Sequence, residues 1–357
     1  MNNMKKHDKI RIVIVEDSAF MRKIISDILS EDPDIEIVGK ARNGNEAMEV
    51  IRSVLPDVVT LDIEMPGKSG IEVLQDIMSF RPIPVVMVSS LVKHGADITL
   101  QALDIGAVDF VTKPSGNISL DMSKVADELR NKVKGASRAI IRGTGVKKIS
   151  SPRDRVAARP PIQHQTRCKP ELIVIASSTG GPMALQQVIP MLPGNLPLPV
   201  LIVQHMPPGF TTSLAHRLNE RSKLKVTEAC DEMPIRRGSV LLAPGGYHMI
   251  VERRGMELVC RLTETPPVRS VRPSADVLFT SVSEVVGGNV IVLVLTGMGK
   301  DGLDGARLLR EKGAYVIAES RETSVIYGMP GAVTDAGLAD EVLPLYSIAE
   351  GVERALK

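Results

Sequence analysis

The sequence predicts an α/β protein with two doubly wound domains whose sheets are mainly parallel. Its 357 residues exceed what one ordinary hydrophobic core supports. In both halves, short β-branched runs alternate with amphipathic stretches, and a basic segment with many prolines and glycines separates the halves. These observations divide the chain into a first domain at 8–132, a flexible basic linker at 133–169 and a second domain at 170–357.

The composition, 43% hydrophobic and 24% charged with no tryptophan, is that of a soluble globular protein. Apolar runs such as Val290–Leu295 are far shorter than the roughly 20 residues of a membrane span. The polar N-terminus also lacks the apolar core of a signal peptide. Cys168, Cys230 and Cys260 lie far apart without metal-ligand spacing, so we expect reduced thiols in a cytoplasmic protein.

The linker carries a strong local positive charge. Residues Lys134–Lys169 hold ten Lys or Arg and one acid, although the whole chain has a formal net charge of +2. A stretch of this kind could bind nucleic acid or an anionic surface. It has no aromatic residue, no helical periodicity and several breakers such as Pro160-Pro161, which favours a solvated linker with no nucleic-acid partner.

Five candidate strands of the first domain alternate with helical patterns. The strands are Ile10–Val15, Ile35–Gly39, Val58–Leu61, Val85–Val88 and Val108–Val111, and the helical patterns include Ala19–Leu29, Gly44–Ser53 and Ala96–Leu103. Five strand–helix repeats predict a doubly wound parallel sheet, and such a sheet binds its ligands beyond the carboxyl ends of the strands.

Chemically active side chains stand at those carboxyl ends. Strand one runs into Glu16 and Asp17, strand three into Asp62, strand four into Ser89 and strand five into Lys113. Turn formation or helix capping would explain any one of the small polar residues. Together they predict an acidic, oxygen-rich pocket that suits Mg²⁺. A free carboxylate there could accept a phosphoryl group, whose oxygens the lysine and the hydroxyl could hold.

The segments VEDSAFMR, TLDIEMPGKSG, VSSL and DFVTKP resemble the receiver domain of two-component response regulators. The resemblance implies a flavodoxin-like fold in which Asp62 is phosphorylated and Glu16, Asp17 and Asp62 hold Mg²⁺. It also implies that Ser89 and Lys113 contact the phosphate. Glu16 stands where the family commonly has aspartate, and this longer acid keeps the negative charge that the metal requires.

Three strands of the second domain end at side chains suited to acyl transfer. They are Leu172–Ala176 before Ser177 and Ser178, Val200–Gln204 before His205, and Val290–Thr296 before the loop that contains Asp301. A hydroxyl, an imidazole and a carboxylate beyond strand ends suit a nucleophile, a base and an orienting acid. Either Ser177 or Ser178 could be the nucleophile, and both could instead cap the following helix.

Other histidines compete for the role of the base. His248 follows a Pro-Gly-Gly turn and is a rival to His205. His164 falls in the linker and His216 falls on a helical pattern, so both are weaker candidates. Spacing by itself leaves the choice between His205 and His248 open.

A nucleotide-binding alternative rests on the same region. Gly297, Gly299 and Gly302 spell GxGxxG between a strand and a helix, and Glu319 ends the next strand 17 residues after Gly302. This pattern is close to a dinucleotide fingerprint with its ribose-binding acid, which would make the protein a nucleotide-dependent oxidoreductase. Asp301 weighs against this alternative because it would bring a negative charge close to the pyrophosphate.

The segments SSTGGP, QHMPPGF, LAPGGYHM, RPSADVLF, LTGMGKDG and YGMPGAV resemble the chemotaxis protein-glutamate methylesterase (CheB) family over essentially the whole chain. The resemblance implies a Rossmann-like second domain with Ser178 as nucleophile, His205 as base and Asp301 as orienting acid. Thr179 and Met298 would line the site, with the Met298 backbone N–H as oxyanion donor. At Ala176-Ser177 the family usually has Gly-Ala.

The same resemblance implies a phosphorylation-activated hydrolase that removes methyl esters from glutamates of methyl-accepting chemotaxis receptors and releases methanol. Deamidation of receptor glutamines would be a second activity. A chemotaxis histidine kinase would be the phosphodonor, and Mg²⁺ in the receiver would be the only cofactor. We expect a cytoplasmic monomer without membrane insertion, whose receiver covers the esterase site until it is phosphorylated.

Overall fold

A computed structural model describes residues 9–90, 93–113, 120–139 and 169–356. The described residues form two compact units, one on each side of residues 140–168. Most of the predicted linker, with Cys168 and His164, lies outside the described residues. The domain boundaries at 132/133 and 169/170 therefore stay predictions.

The first unit is a five-stranded parallel sheet with strand order β2-β1-β3-β4-β5. Its strands are β1 (Ile10–Val15), β2 (Ile35–Ala41), β3 (Val58–Asp62), β4 (Val85–Ser89) and β5 (Asp109–Thr112). Its helices are α1 (Ala19–Ser30), α2 (Gly44–Val54), α3 (Gly70–Phe80), α4 (Lys93–Ile105) and α5 (Leu120–Ala136). The predicted doubly wound fold is confirmed.

Side-chain caps start three helices of the first unit. Ser18 accepts a hydrogen bond from the N–H of Met21, and Asn43 accepts one from the N–H of Glu46. Ser69 forms a capping box with Glu72. Caps of this kind satisfy backbone donors that a helix leaves without a partner in its first turn.

The second unit has a seven-stranded parallel sheet with strand order β15-β14-β13-β6-β7-β10-β8. Its strands are β6 (Leu172–Ser177), β7 (Val200–Gln204), β8 (Lys225–Glu228), β10 (Ser239–Leu242), β13 (Val290–Val294), β14 (Tyr315–Glu319) and β15 (Glu341–Leu343). The chain runs outward from β6 on one side and then restarts at β13 on the other. The switch point of the strand order therefore lies between β6 and β13, where open α/β sheets bind ligands.

Six α-helices in the described part of the second unit accompany this sheet. They are α6 (Gly181–Met191), α7 (Phe210–Arg221), α8 (Ala275–Val285), α9 (Leu303–Glu311), α10 (Met329–Asp335) and α11 (Ile348–Ala355). A separate antiparallel sheet, which the sequence analysis missed, consists of β9 (Met233–Pro234), β11 (His248–Arg254) and β12 (Glu257–Thr263). Its core-facing residues, such as Met249 and Cys260, pack into the same hydrophobic core as α8.

Burial of apolar side chains holds the central strands in place. All residues of β6 and β13 are buried, and each fully buried Val, Leu or Ile contributes about 1.5–3 kcal/mol relative to an exposed one. Helices α6 and α9 begin after Gly180 and Gly302, whose backbones are left-handed and provide no side-chain cap. The turns that precede these helices follow β6 and β13 at the switch point.

Candidate active site and acidic cluster

Three carboxylates of the first unit converge at the carboxyl edge of its sheet. Glu16 and Asp17 follow β1, and Asp62 ends β3 beside it. Each of the three offers an oxygen within 4.8 Å of the others. Glu16 and Asp62 are buried, whereas Asp17 is exposed. The structure thus brings together the three predicted metal ligands.

Lys113 and Ser89 lie at the same edge of the sheet. The Lys113 ammonium lies 2.8 Å from Oδ2 of Asp62 and 3.2 Å from Oε2 of Glu16. Ser89 ends β4 and is buried, and its hydroxyl accepts a hydrogen bond of 2.7 Å from Thr99. The predicted phosphate contacts are therefore near the predicted acceptor, Asp62.

The acids of this cluster are electrostatically crowded. Burial and the nearby charge of Asp62 raise the pKa of Glu16 to about 7. Burial likewise raises the pKa of Asp62. Burial opposes protonation of Lys113, but its contacts with Asp62 and Glu16 outweigh burial and raise its pKa. A single ammonium does not offset two buried carboxylates.

Two oxygens of the cluster fit a bound cation. Oε2 of Glu16 and Oδ2 of Asp62 are buried without a well-aligned hydrogen bond from any described residue, although the Lys113 ammonium is close by. Carboxylate oxygens with unused lone pairs are the ligands that Mg²⁺ prefers. The donor set and its geometry suit the predicted cation.

The second unit places its own predicted side chains around the switch point. Ser178 follows β6, His205 follows the neighbouring β7, and Asp301 lies in the loop after β13. Nε2 of His205 lies 2.7 Å from Oδ2 of Asp301, and both side chains are largely buried. The imidazole and the carboxylate, 96 residues apart in the chain, form a direct pair.

Asp301 is held by a dense set of donors at the start of α8. The Ser274 hydroxyl donates to Oδ1 at 2.7 Å, and the N–H of Ala275 donates to Oδ2 at 2.6 Å. The N–H of Asp276 adds a contact of 3.2 Å. Burial opposes ionisation, but the bonds from His205, Ser274 and Ala275 outweigh it and lower the pKa of Asp301 to about 2.

The two candidate serines have different surroundings. Ser177 is the last residue of β6, is fully buried, and donates to Oε1 of Gln204 at 2.7 Å. Ser178 is half-buried, and its N–H donates to the carbonyl of Thr296. Within the part of the chain that the structure describes, the Ser178 hydroxyl forms no hydrogen bond. Contacts between nucleophile and base are often long before a substrate binds.

The oxyanion candidates lie on the two turns beside Ser178. Thr179 is buried, and its carbonyl accepts a hydrogen bond of 3.0 Å from the Thr296 hydroxyl. The loop at Gly297 approaches so closely that a Cβ there would lie 2.9 Å from Cβ of Ser178. Met298 follows, and among the described residues its N–H has no acceptor. Both predicted lining residues therefore border the Ser178 turn.

The competing histidines have other roles. His216 lies on α7 with a largely exposed side chain, as its helical pattern predicted. His248 is fully buried at the start of β11, and its Nδ1 accepts a hydrogen bond from the N–H of Ser274. Burial lowers the pKa of His248. His248 therefore supports the residue that holds Asp301, and no described contact joins it to either serine.

The sequence analysis missed several of these supporting residues. Ser274 and His248 fall in the motifs RPSADVLF and LAPGGYHM, but no spacing rule connects them to Asp301, 27 and 53 positions away. Gln204 was assigned only as a strand end. A polar residue that closes the buried run Val200–Val203 was the one available signal for Gln204.

Two acids bear on the nucleotide-binding alternative: Asp301 in the GxGxxG loop and Glu319 at the end of β14. Both already accept hydrogen bonds within the protein. Asp301 within the loop is bound by His205 and the start of α8. Glu319, the expected ribose-binding acid, is fully buried and accepts a hydrogen bond of 2.7 Å from the N–H of Thr296. The oxidoreductase alternative is disfavoured because both acids are already engaged.

Fold and site together define a class of protein: a receiver-like α/β unit followed by a doubly wound unit with a histidine–carboxylate pair at its switch point. The response regulator receiver domain family matches residues 12–122, and the CheB methylesterase family matches residues 173–352. The chain belongs to the CheB methylesterase family.

Relatives match along nearly the full chain. A protein-glutamate methylesterase/protein-glutamine glutaminase of Symbiobacterium thermophilum is 50% identical, covering 97% of this chain and 97% of its own length. One of Geobacillus kaustophilus is 48% identical, covering 96% and 97%. The crystal structure of the Thermotoga maritima CheB methylesterase catalytic domain is 43% identical, with a TM-score of 0.51, covering 52% of this chain and 99% of its own.

Two further observations concern the remaining predictions. No helix in the described residues is long and apolar enough to cross a membrane. Cys230 is exposed and Cys260 is buried, and both are free thiols.

Proposed function

We propose that this protein hydrolyses methyl esters of glutamate residues in methyl-accepting chemotaxis receptors, and that phosphorylation of Asp62 increases this activity. The observation that carries the proposal is the 2.7 Å contact between His205 and Asp301 beside the turn that bears Ser178. The names of the full-length relatives support the substrate class, which is protein glutamate esters and glutamine amides.

In the proposed acylation step, Ser178 Oγ attacks the ester carbonyl while His205 removes its proton. Ionised Asp301 accepts the Nε2–H of His205, which fixes the tautomer and leaves the Nδ1 lone pair as the base. The bond from the carbonyl carbon to the methoxy oxygen then breaks. The departing oxygen takes the proton from Nδ1 and leaves as methanol.

Deacylation reverses these proton movements. His205 removes a proton from water, the resulting hydroxide attacks the acyl carbon, and Ser178 leaves with the proton to restore the enzyme and a free glutamate. A glutamine amide would follow the same route and release ammonia. In both steps the Met298 N–H would stabilise the negative charge on the carbonyl oxygen, with Thr179 lining the site.

Exposure favours Ser178 over Ser177 as the nucleophile. Ser177 is fully buried and its hydroxyl donates to Gln204, so a substrate carbonyl could not reach it without displacing the strand. Ser178 lies one residue past the strand end and is half-buried. Its position at the start of the turn suits attack on a bound ester.

The acidic cluster would regulate the enzyme. Glu16, Asp17 and Asp62 would hold Mg²⁺, which when bound neutralises the crowded carboxylates and the phosphodonor oxygens. Asp62 attacks the phosphorus of a chemotaxis histidine kinase phosphohistidine, whose N–P bond breaks. Lys113 and Ser89 hold the oxygens of the new phosphoryl group.

Phosphorylation would then shift the enzyme toward an active population. The new charge on Asp62 would favour the conformations of the protein in which the esterase is active. The protein would act as a cytoplasmic monomer on the cytoplasmic helices of the receptors. It would bind no nucleic acid and insert into no membrane, and the esterase would need no cofactor of its own.

Methanol release from methylated receptor membranes tests this function. We expect the wild type to release methanol, Ser178→Ala to release almost none, and Ser177→Ala to remain clearly active. Unmethylated receptor membranes are the control for the substrate. Full activity of Ser178→Ala together with loss in Ser177→Ala would contradict the assigned nucleophile.

A further inference from the structure

Gln204 is a buried amide between the strands that lead to Ser178 and His205. It closes β7, pairs with Ser177 of β6, and is only 1% exposed. The other four residues of β7 are apolar. An amide is costly to bury unless its donors and its acceptor are used.

All three polar functions of this amide are engaged. Nε2 donates to the backbone carbonyl of Ser178 at 2.9 Å and to that of His205 at 3.2 Å. Oε1 accepts the Ser177 hydroxyl at 2.7 Å. Because the two carbonyls can only accept, they require the NH₂ group on their side, and the Ser177 hydroxyl donates to Oε1 on the other. One rigid group thus joins the backbones of the proposed nucleophile and base.

The nucleophile turn is shaped around this amide. A Cβ at Gly181 would clash with Oε1 of Gln204, so a larger residue there would displace the amide. The N–H of Gly181 also donates to the Ser178 carbonyl at 2.7 Å. Hydrogen bonds to its carbonyl and from its N–H, which donates to Thr296, restrict the Ser178 backbone and therefore the direction of its Cα–Cβ bond.

From this geometry we infer that Gln204 is a positioning residue for the esterase reaction and that Ser177 orients it. Gln204 holds the backbones of Ser178 and His205 at a fixed spacing, and the Ser177 hydroxyl anchors the Oε1 end of the amide in place. This inference rests on the proposed function. It also gives a role to the hydroxyl that distinguishes Ser177 from the alanine usual in the family.

The test substitutes Gln204→Met, which keeps the length of the side chain and removes both N–H donors. A displaced nucleophile slows chemistry more than it weakens binding, so kcat for methanol release should fall about 30-fold, with KM within about twofold. Gln186→Met is the matched control because Gln186 is also buried and bonds to Arg221, away from the turn. Its kcat should stay within about twofold of the wild type.

Ser177→Ala provides the second arm. It should lower kcat about threefold in the wild-type background and cause no further loss in the Gln204→Met background, because no amide remains to be oriented. If the two residues acted independently on the fold, the kcat losses of Ser177→Ala and Gln204→Met would multiply in the double variant. If Gln204→Met does not fold, Gln204→Leu gives the same comparison, since it also removes both N–H donors and adds no charge.

The outcomes separate this inference from the proposed function. A wild type that releases no methanol contradicts the proposed function. A wild type of normal activity with kcat unchanged in Gln204→Met, or with equal losses in Gln186→Met, overturns the positioning role alone. A selective fall in kcat that is coupled to Ser177 supports it.

Discussion

Asp62 ends one buried parallel strand and Asp301 lies in the loop after another, and the pKa values of these two buried acids shift in opposite directions. In the receiver unit, burial raises the pKa of Asp62, and burial with the charge of Asp62 raises that of Glu16 to about 7. In the catalytic unit, the pKa of Asp301 falls to about 2 although it too is buried. Strand ends therefore do not determine the charge state of an acid.

The difference lies in the donors that surround each carboxylate. Asp301 accepts hydrogen bonds from His205, Ser274 and two backbone N–H groups. The acids of the receiver unit share the ammonium of Lys113, and two of their buried oxygens have no well-aligned donor among the described residues. The Asp301 carboxylate is preorganised by its donors, whereas the receiver cluster suits a cation and a phosphoryl group that arrive from outside.

The largest expected effect follows from breaking the preorganised pair. Asp301→Asn removes the charge that fixes the His205 tautomer, and kcat for methanol release should fall about 10³–10⁴-fold. Asp304→Asn is the control, because Asp304 is exposed and has no contact with His205. A loss below about tenfold for Asp301→Asn would contradict the proposed role of the acid.

Glu319 shows that a raised pKa also occurs in the catalytic unit. Burial, opposed by fewer hydrogen bonds than at Asp301, raises its pKa from 4.5 to about 7. The resulting stability is present below pH 4.5 and is lost as the pH rises through 7.

Glu319→Gln should remove this pH dependence. Relative to the wild type, the variant should gain about 3 kcal/mol in free energy of unfolding between pH 4.5 and pH 8. Denaturant unfolding at the two values of pH measures the change, with exposed Glu322→Gln as control. An equal pH slope in Glu319→Gln and wild type would contradict the raised pKa of Glu319.

Asp301 should have the opposite pH dependence. Its folded pKa of about 2 lies below the ordinary 3.8, so its stability is present above pH 3.8 and is lost as the pH falls toward 2. The lost stability amounts to about 2 kcal/mol. As the pH falls from about 4 toward 2, the free energy of unfolding should decrease more steeply in the wild type than in Asp301→Asn. Identical pH dependence in the two proteins would contradict the lowered pKa of Asp301.

The fold was predictable because it depends on local patterns. Apolar runs such as Val85–Val88 and Val200–Val203 are long enough to identify strands, and the polar residue after each run locates the edge of the sheet. The antiparallel sheet of β9, β11 and β12 escaped prediction because its strands are partly exposed and mixed in polarity.

The site was predictable only where a functional group follows a strand. Glu16, Asp62, His205 and Asp301 were predicted in this way, and the structure brings them together in two clusters. Ser274 was not, because it precedes a helix and reaches Asp301 only through the tertiary fold. Gln204 was not, since its importance comes from three contacts that connect residues on adjacent strands.

The central claim is that the crowded cluster at Asp62 controls hydrolysis at the preorganised site. Methanol release should be measured for wild type and Asp62→Ala, each with and without a small-molecule phosphodonor and Mg²⁺. We expect the phosphodonor to activate the wild type about tenfold, equivalent to about 1.4 kcal/mol, and to leave Asp62→Ala at its basal rate. Activation that persists in Asp62→Ala would contradict the account.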